Sequence, residues 1–291
     1  MAENGPANAG AGALLADLTP HHLTAAQFEA IATTVYRATG IDLRVGKEEL
    51  VKSRLIKRLR ALGLTDFEQY LAHIKADVSG QEMATMVDLL TTNKTSFFRE
   101  DKHFTLLRRW LRANAGLKKI RIWSAGCSSG EEPFSIAIVL CEELPDISER
   151  SVGILATDIS SRMLERAKRA VYEHDPALRD VPAGLLGRYF NCVKTDPPRL
   201  YEVRSPVRSL VHFAHLNLLG CWPMRGPFDL VFCRNVMIYF DAATRERVVR
   251  GIWQLLRPGG YLLVGHSESL LGSAGGFTYV QPAVYMRDSA E

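Results

Sequence analysis

The sequence contains no C-x-x-C pair, and its five cysteines, Cys127, Cys141, Cys192, Cys221 and Cys233, are odd in number. That speaks against a disulfide framework or a thiolate zinc site and for a reducing compartment. No apolar run approaches the roughly 18 residues that a membrane-spanning helix needs. No basic segment followed by an apolar stretch opens the chain, so no signal peptide, no membrane insertion and a cytoplasmic location are expected. Neither sign of charge dominates: 36 Lys and Arg against 32 Asp and Glu give a net charge of +4, which alone does not call for nucleic acid. There is no internal repeat. What is present is 47% hydrophobic residues over 291 positions, enough core for one large or two modest domains.

The most informative stretch is 119–140. Ile120, Ile122 and Trp123 read as a strand. Gly126, Cys127, Ser128, Ser129 and Gly130 follow as a loop, and an apolar helix starts near Glu131-Glu132-Pro133. Pro is expected at the first helical position, where its missing N–H costs nothing. Strand, glycine loop and helix make the first half of a Rossmann-type unit. A phosphate loop would want a lysine. This loop has none and carries two carboxylates at the helix start, which would repel a pyrophosphate. A cationic ligand such as S-adenosylmethionine, with its sulfonium and amino group, suits it better. The other reading is a tight turn with capping acids and no ligand.

Ser151–Thr157 reads as the second strand, ending at Asp158, where this fold holds a ribose diol. Asp158 can equally cap a helix expected over Ser160–Tyr172. Strands are expected at Arg188–Val193 and Leu200–Val203, forming a hairpin around Lys194-Thr195-Asp196-Pro197-Pro198-Arg199, and at Val207–Leu216. His212 and His215 on that last strand point to opposite faces, so they do not read as a metal pair. Phe228–Phe232 is a buried strand. Arg234 and Asn235 follow it, placed either for a ligand or as a solvated strand end. Asp241 caps a helix to Leu256. Arg257-Pro258-Gly259-Gly260 is a turn, Tyr261–Gly265 a strand, and Phe277–Arg287 a closing hairpin.

Before residue 92 the pattern is helical. Residues 1–20 have little to bury and are expected to be a disordered leader. Capping boxes stand at Thr24–Gln27 and Thr65–Glu68. The helix from about Lys47 to Leu62 has an apolar stripe of Val51, Leu55, Leu59 and Leu62. Its other face carries Lys52, Arg54, Lys57, Arg58 and Arg60, with no acid among them. Such a face is either solvated or meets an acidic partner surface. No aromatic residues interleave with it as nucleic-acid stacking would require. Residues 93–100 form an irregular polar and aromatic segment before a helix over Asp101–Asn114.

Taken together, these segments resemble the class I S-adenosylmethionine-dependent methyltransferases. More narrowly they resemble the chemotaxis receptor glutamate methyltransferases, the CheR family. The matching runs are Asn-Lys-Thr-Ser-Phe-Phe-Arg-Glu (93–100), Ser-Ala-Gly-Cys-Ser-Ser-Gly-Glu-Glu-Pro (124–133), Ala-Thr-Asp-Ile-Ser (156–160), Leu-Asn-Leu (216–218), Phe-Cys-Arg-Asn-Val-Met-Ile-Tyr-Phe (232–240) and Gly-His-Ser-Glu-Ser-Leu (265–270). The resemblance implies an α/β chain: an N-terminal all-α domain (21–92), a linker and connecting helix (93–118), and a Rossmann-like methyltransferase domain (119–291). A small antiparallel β-subdomain is expected at about 188–215. It implies cofactor contacts from Asn93, Thr95, Arg99, Gly126, Glu131, Asp158, Asn217, Leu218, Arg234 and Asn235. Arg99 and Tyr239 match positions bordering the transferred methyl. The basic helix, through Arg54, Lys57, Arg58 and Arg60, matches the surface that meets the cytoplasmic helical domain of a methyl-accepting chemoreceptor. Relatives that dock a receptor's peptide tether carry glycines in the β-subdomain loop; Lys194–Arg199 has none, which speaks against tether binding.

The activity so implied is methyl-ester formation on receptor glutamates by a monomer, with S-adenosylhomocysteine as product and no metal required. The alternatives are a methyltransferase for another substrate, an NAD-dependent oxidoreductase, which the acidic loop disfavours, and a cofactor-binding scaffold without turnover.

Overall fold

The computed structural model describes residues 22–43, 46–179, 181–270 and 276–288, so the expected leader lies outside the described residues. The chain divides into two compact units: residues up to Thr34 with Arg44–Leu90, and Val35–Leu43 with Thr91–Glu291.

The first unit is helical. Helix α1 (Ala25–Thr39) opens on a reciprocal cap, Gln27 N–H donating to Thr24 Oγ1 at 3.2 Å and Thr24 N–H to Gln27 Oε1 at 3.0 Å. Helices α2 (Glu48–Ala61), α3 (Phe67–Ala76) and α4 (Gln81–Leu90) follow. The cap of α3 sits one residue later than the sequence suggests: Asp66 accepts from Gln69 N–H at 2.8 Å. Val51, Leu55, Leu59, Phe67 and Tyr70 are fully buried. Each such side chain contributes about 1.5–3 kcal/mol.

The basic face of α2 is not a row of unengaged cations. Arg58 grips Glu82 of α4, with Nε donating to Oε1 at 3.0 Å, and Tyr70 Oη donates to the same oxygen at 2.9 Å. Arg54 donates to Leu90 O at 2.7 Å, which helps to satisfy the carbonyls at the end of α4. Lys52 lies 3.7 Å from Glu49. Lys57 and Arg60 are exposed. Arg54 and Arg58 are thus engaged inside the unit while staying half-buried.

In the second unit, α5 (Lys102–Ala113) precedes β1 (Lys119–Ala125), α6 (Glu131–Glu143), β2 (Ser151–Asp158) and α7 (Ser161–Arg169). Helix α6 begins at Glu131 with Gly130 as its cap, so Pro133 is the third helical residue rather than the first. Ser160, not Asp158, caps α7, accepting from Met163 N–H at 3.1 Å. That helix stops at Ala170, whose φ is 53°, and Val171–Glu173 becomes strand β3 instead of continuing the helix to Tyr172.

Next come α8 (Ala183–Tyr189), β4 (Phe190–Lys194), β5 (Leu200–Val203), α9 (Ser205–Arg208) and β6 (Val211–His215). Strands β3, β5 and β4 form a small antiparallel sheet in that order. The insertion therefore runs from about 171 to 203 and not to 215. The expected strand over Val207–Leu216 is shorter because Pro206 starts a helical turn first.

Strand β6 joins the main sheet, followed by β7 (Phe228–Cys233), α10 (Ala242–Leu255), β8 (Leu256–Val264), β9 (Phe277–Gln281) and β10 (Val284–Arg287). The main sheet has seven strands ordered β6-β2-β1-β7-β8-β10-β9. The first five are parallel, and β10 runs antiparallel to both its neighbours. All six residues of β7 are buried, as expected for a parallel strand covered on both faces. Residues 35–43 pack into this unit. Ile41 bridges to Phe240, Asp42 N–H donates to Tyr239 O at 2.8 Å, Tyr36 Oη donates to Asp241 Oδ2 at 2.6 Å, and Asn217 Nδ2 donates to Ala38 O at 2.7 Å.

Glu82 supplies the first stability prediction. Burial opposes its charge, but the bonds from Arg58 and Tyr70 hold its pKa below the ordinary 4.5. A carboxylate lowered on folding stabilises above its unfolded pKa, and that stability fades as pH falls through the folded value. Glu82→Gln is expected to cost roughly 2–3 kcal/mol at neutral pH, the scale of hydrogen bonds to charged groups. Urea unfolding should show the gap from the parent protein closing below pH 4.5.

Candidate active site

The strand order reverses at β1. From it the chain passes to β2 and β6 on one side and to β7 and β8 on the other. Open sheets of this kind bind ligands outside the carboxyl ends of their strands at such a switch point. The segments singled out in the sequence converge there: 126–132 after β1, Asp158 ending β2, 216–218 after β6, 234–239 after β7 and 265–268 after β8.

The turn after β1 demands glycine. Gly126 has φ 83°, and a Cβ there would overlap Val236 Cγ2. Gly130 has φ 98°, and its Cβ would lie 2.8 Å from the Tyr172 hydroxyl. Gly126 and Cys127 N–H both donate to Thr157 O, at 2.8 and 2.9 Å, pinning the loop to the end of β2. Asp158 completes the clasp: Oδ2 accepts from Ser128 N–H and Oδ1 from Ser160 N–H, each at 2.8 Å. Ser128 Oγ donates to Asn93 O at 3.0 Å, tying the 93–100 segment to the same loop.

The two acids after Gly130 have different tasks. Glu131 is 3% exposed and accepts from Ser129 Oγ through both oxygens, at 3.0 and 2.7 Å. Burial raises its pKa. Glu132 points to the core, where Ser124 Oγ donates to Oε1 at 2.7 Å and Arg234 Nη1 to Oε2 at 3.0 Å. Arg234 also holds Glu100 Oε2 at 3.0 Å and donates to Arg99 O. Its side chain is only 2% exposed. Arg234 is therefore a buried clamp joining three segments at the place expected to contact the cofactor. Burial opposes the charge on Glu100, yet Arg234 holds that carboxyl below its usual range.

Among the other expected residues, Asn93 Nδ2 donates to Thr91 Oγ1 at 3.2 Å, and Thr95 is half-buried. Arg99 Nη1 donates to Lys94 O at 2.9 Å. Asn217 Oδ1 accepts from Leu219 N–H at 2.9 Å, shaping the turn that carries Leu218. Asn235 has φ 58°. Tyr239 Oη reaches Thr92 O at 3.3 Å, a long bond. A cavity of about 510 Å³ is lined by Arg99, Glu100, Phe104, Arg108 and Leu185 among others, and one of about 370 Å³ by Leu218, Trp222 and Arg247 among others. Neither lining includes Gly126, Asp158 or Asn235.

Glu268 has a role that no local pattern announces. Its carboxylate accepts from the N–H groups of Asn235 at 2.9 Å, Ile238 at 3.1 Å and Gly265 at 2.5 Å, so it sets the turn that presents Asn235 and Tyr239. The only advance signal is an acid four residues beyond a strand. His103 was missed too: it is fully buried, and burial, then the Arg234 charge, pushes its pKa down to about 4.

Residues 93–286 match the family profile described as CheR methyltransferase, SAM binding domain, and residues 26–91 the one described as CheR methyltransferase, all-alpha domain. A chemotaxis protein methyltransferase of Klebsiella aerogenes is 42% identical over 248 residues, covering 85% of this chain and 84% of its own. The one from Escherichia coli K12 is 40% identical over 264 residues, covering 90% and 91%. The one from Borreliella burgdorferi is 36% identical over 276 residues, covering 92% and 96%.

Arg234→Ala would leave Glu100 and Glu132 facing each other without their shared cation. Breaking a buried pair from one side typically costs about 3–5 kcal/mol. Chemical denaturation is expected to show a loss of that size, while Asn235→Ala changes stability far less.

Proposed function

Because the chain belongs to the CheR methyltransferase family, we propose that it transfers the methyl group of S-adenosylmethionine to glutamate side-chain carboxylates of chemoreceptors, forming methyl esters. The observation that carries this reading is the lysine-free glycine turn at the switch point, rimmed by Glu131 and Asp158. Two features of that turn fit the donor. Gly126, at φ 83° and packed against Val236, lets the backbone turn where a side chain would not fit. Glu131, nearly stripped of water and bonded only to a serine hydroxyl and its own helix start, favours a ligand that brings positive charge or N–H and O–H donors.

In this reading Asp158, at the end of β2, holds the ribose. Glu131, Asn93, Thr95 and Asn235 line the same crevice, and the Asn217–Leu218 turn borders the adenine. Arg234 acts one step back, through Arg99 and Glu100. When bound, S-adenosylmethionine supplies a methyl on a positively charged sulfur, and S-adenosylhomocysteine is left behind. The chain's own residues then have only to bring and orient the acceptor. A glutamate, with pKa about 4.3, is already ionised at neutral pH and needs no general base. Positioning alone can supply roughly 7–11 kcal/mol. Arg99 spends a donor on Lys94 O and can steer the incoming carboxylate with others. Tyr239, held by one long bond to Thr92 O, can turn its hydroxyl to the acceptor. Exposed Lys57 and Arg60 offer an acidic helical receptor surface its first attraction.

Label from a methyl-tritiated donor is expected to enter a receptor cytoplasmic fragment as a base-labile ester; base-stable label would exclude glutamate esterification. Asp158→Asn is expected to weaken donor binding about tenfold or more, in line with ~1.5–3 kcal/mol for a hydrogen bond to a charged group; calorimetry giving unchanged affinity refutes the ribose role. Reversing Lys57 and Arg60 to Glu is expected to raise the receptor KM several-fold, less so at high salt, with donor affinity unchanged.

A further inference from the structure

One carboxylate of the clamp, Glu100, shares a second group of side chains with two histidines that the proposed methyl transfer does not use. Glu100 precedes α5, His103 lies in its first turn, and His266 follows β8. One ligand atom from each falls within 4.8 Å of the other two. His103 Nδ1 is 3.6 Å from Glu100 Oε2, the two imidazole rings stand edge to face with centroids 5.2 Å apart, and His266 N–H donates to Glu100 Oε1 at 3.3 Å.

His103 is the telling member. It is fully buried, yet neither ring nitrogen has a hydrogen-bond partner. An imidazole N–H or lone pair left so costs about 1–3 kcal/mol. Its Nδ1 faces a carboxylate and a second, exposed imidazole. The charges nearby also leave room for a cation, since the single guanidinium of Arg234 faces two carboxylates, Glu100 and Glu132, at 3.0 Å each.

We propose that Glu100, His103 and His266 form a binding site for a first-row divalent transition-metal ion, with Zn²⁺ as the natural occupant. Two imidazoles and one carboxylate are a borderline donor set that suits zinc and its neighbours over magnesium or calcium, which prefer all-oxygen shells. Three protein ligands leave a position for water. The exposed face of His266 gives the ion an entry path, and small side-chain shifts close the 4.8 Å triangle onto it. The ion would strap the 93–100 segment to the loop after β8. The ion is given no step in methyl transfer, and the test below reads metal binding rather than that reaction.

The test uses the full chain, stripped with chelator and then titrated. Calorimetry with Zn²⁺ is expected to show one tight equivalent, and Co²⁺ to give visible d–d bands without the thiolate charge-transfer band that cysteine ligation would add. His266→Ala, on an exposed residue, and His103→Gln, in the core, are each expected to weaken binding by about tenfold or more, removal of even an outer-shell partner costing roughly 10–100-fold. No binding, a thiolate band on the tight equivalent, or unchanged affinity in His266→Ala overturns the proposal.

Discussion

A single buried cation organises the functional end of the second unit. Arg234 leaves the carboxyl end of β7 and is at once surrounded by Glu132 from the start of α6, Glu100 from the segment before α5, and the carbonyl of Arg99. Taking a guanidinium out of water is expensive, and only near-complete pairing offsets it. The three segments are therefore held to one arrangement: moving any of them strands a charge. Glu268 does for the backbone what Arg234 does for the side chains, collecting three N–H groups on one carboxylate.

The chemistry asked of the crevice follows from what surrounds it. Gly126, Cys127 and Ser128 of the loop after β1 give their N–H groups to Thr157 and Asp158 rather than to a phosphate. What stands around it instead are carboxylates, Glu131 and Asp158. A donor carrying positive charge and an acceptor already ionised need no proton moved, which matches a site without an obvious general base.

Much of this was legible in the sequence, and the exceptions share a cause. The turn after β1, the cap at Thr24–Gln27 and the cap at Asp241 depend on residues at most a few positions apart, and local pattern shows them. The burial of the Arg234 side chain is not legible because its partners lie 134 and 102 residues away. The internal bonds of Arg58 and Arg54 are hidden for the same reason, their partners being 24 and 36 residues downstream. Ser160 rather than Asp158 caps α7 because both residue types cap well, and only the fold shows that Asp158 accepts from Ser128 N–H. The small sheet began earlier than expected because Val171–Glu173, which continues a helical pattern, pairs with Leu200–Glu202 across the insertion.

Residues 35–43 carry an implication for how the protein divides. They precede three helices of the first unit in sequence, yet they bridge to Phe240, anchor Asn217 and tie Asp241 within the second. A fragment beginning near residue 91, where the two matched family segments meet, would be shorn of them. The carbonyls and amides they satisfy would open to solvent beside the very turn that carries Tyr239. The covalent seam and the physical seam of this protein are different lines, and limited proteolysis would trace the second.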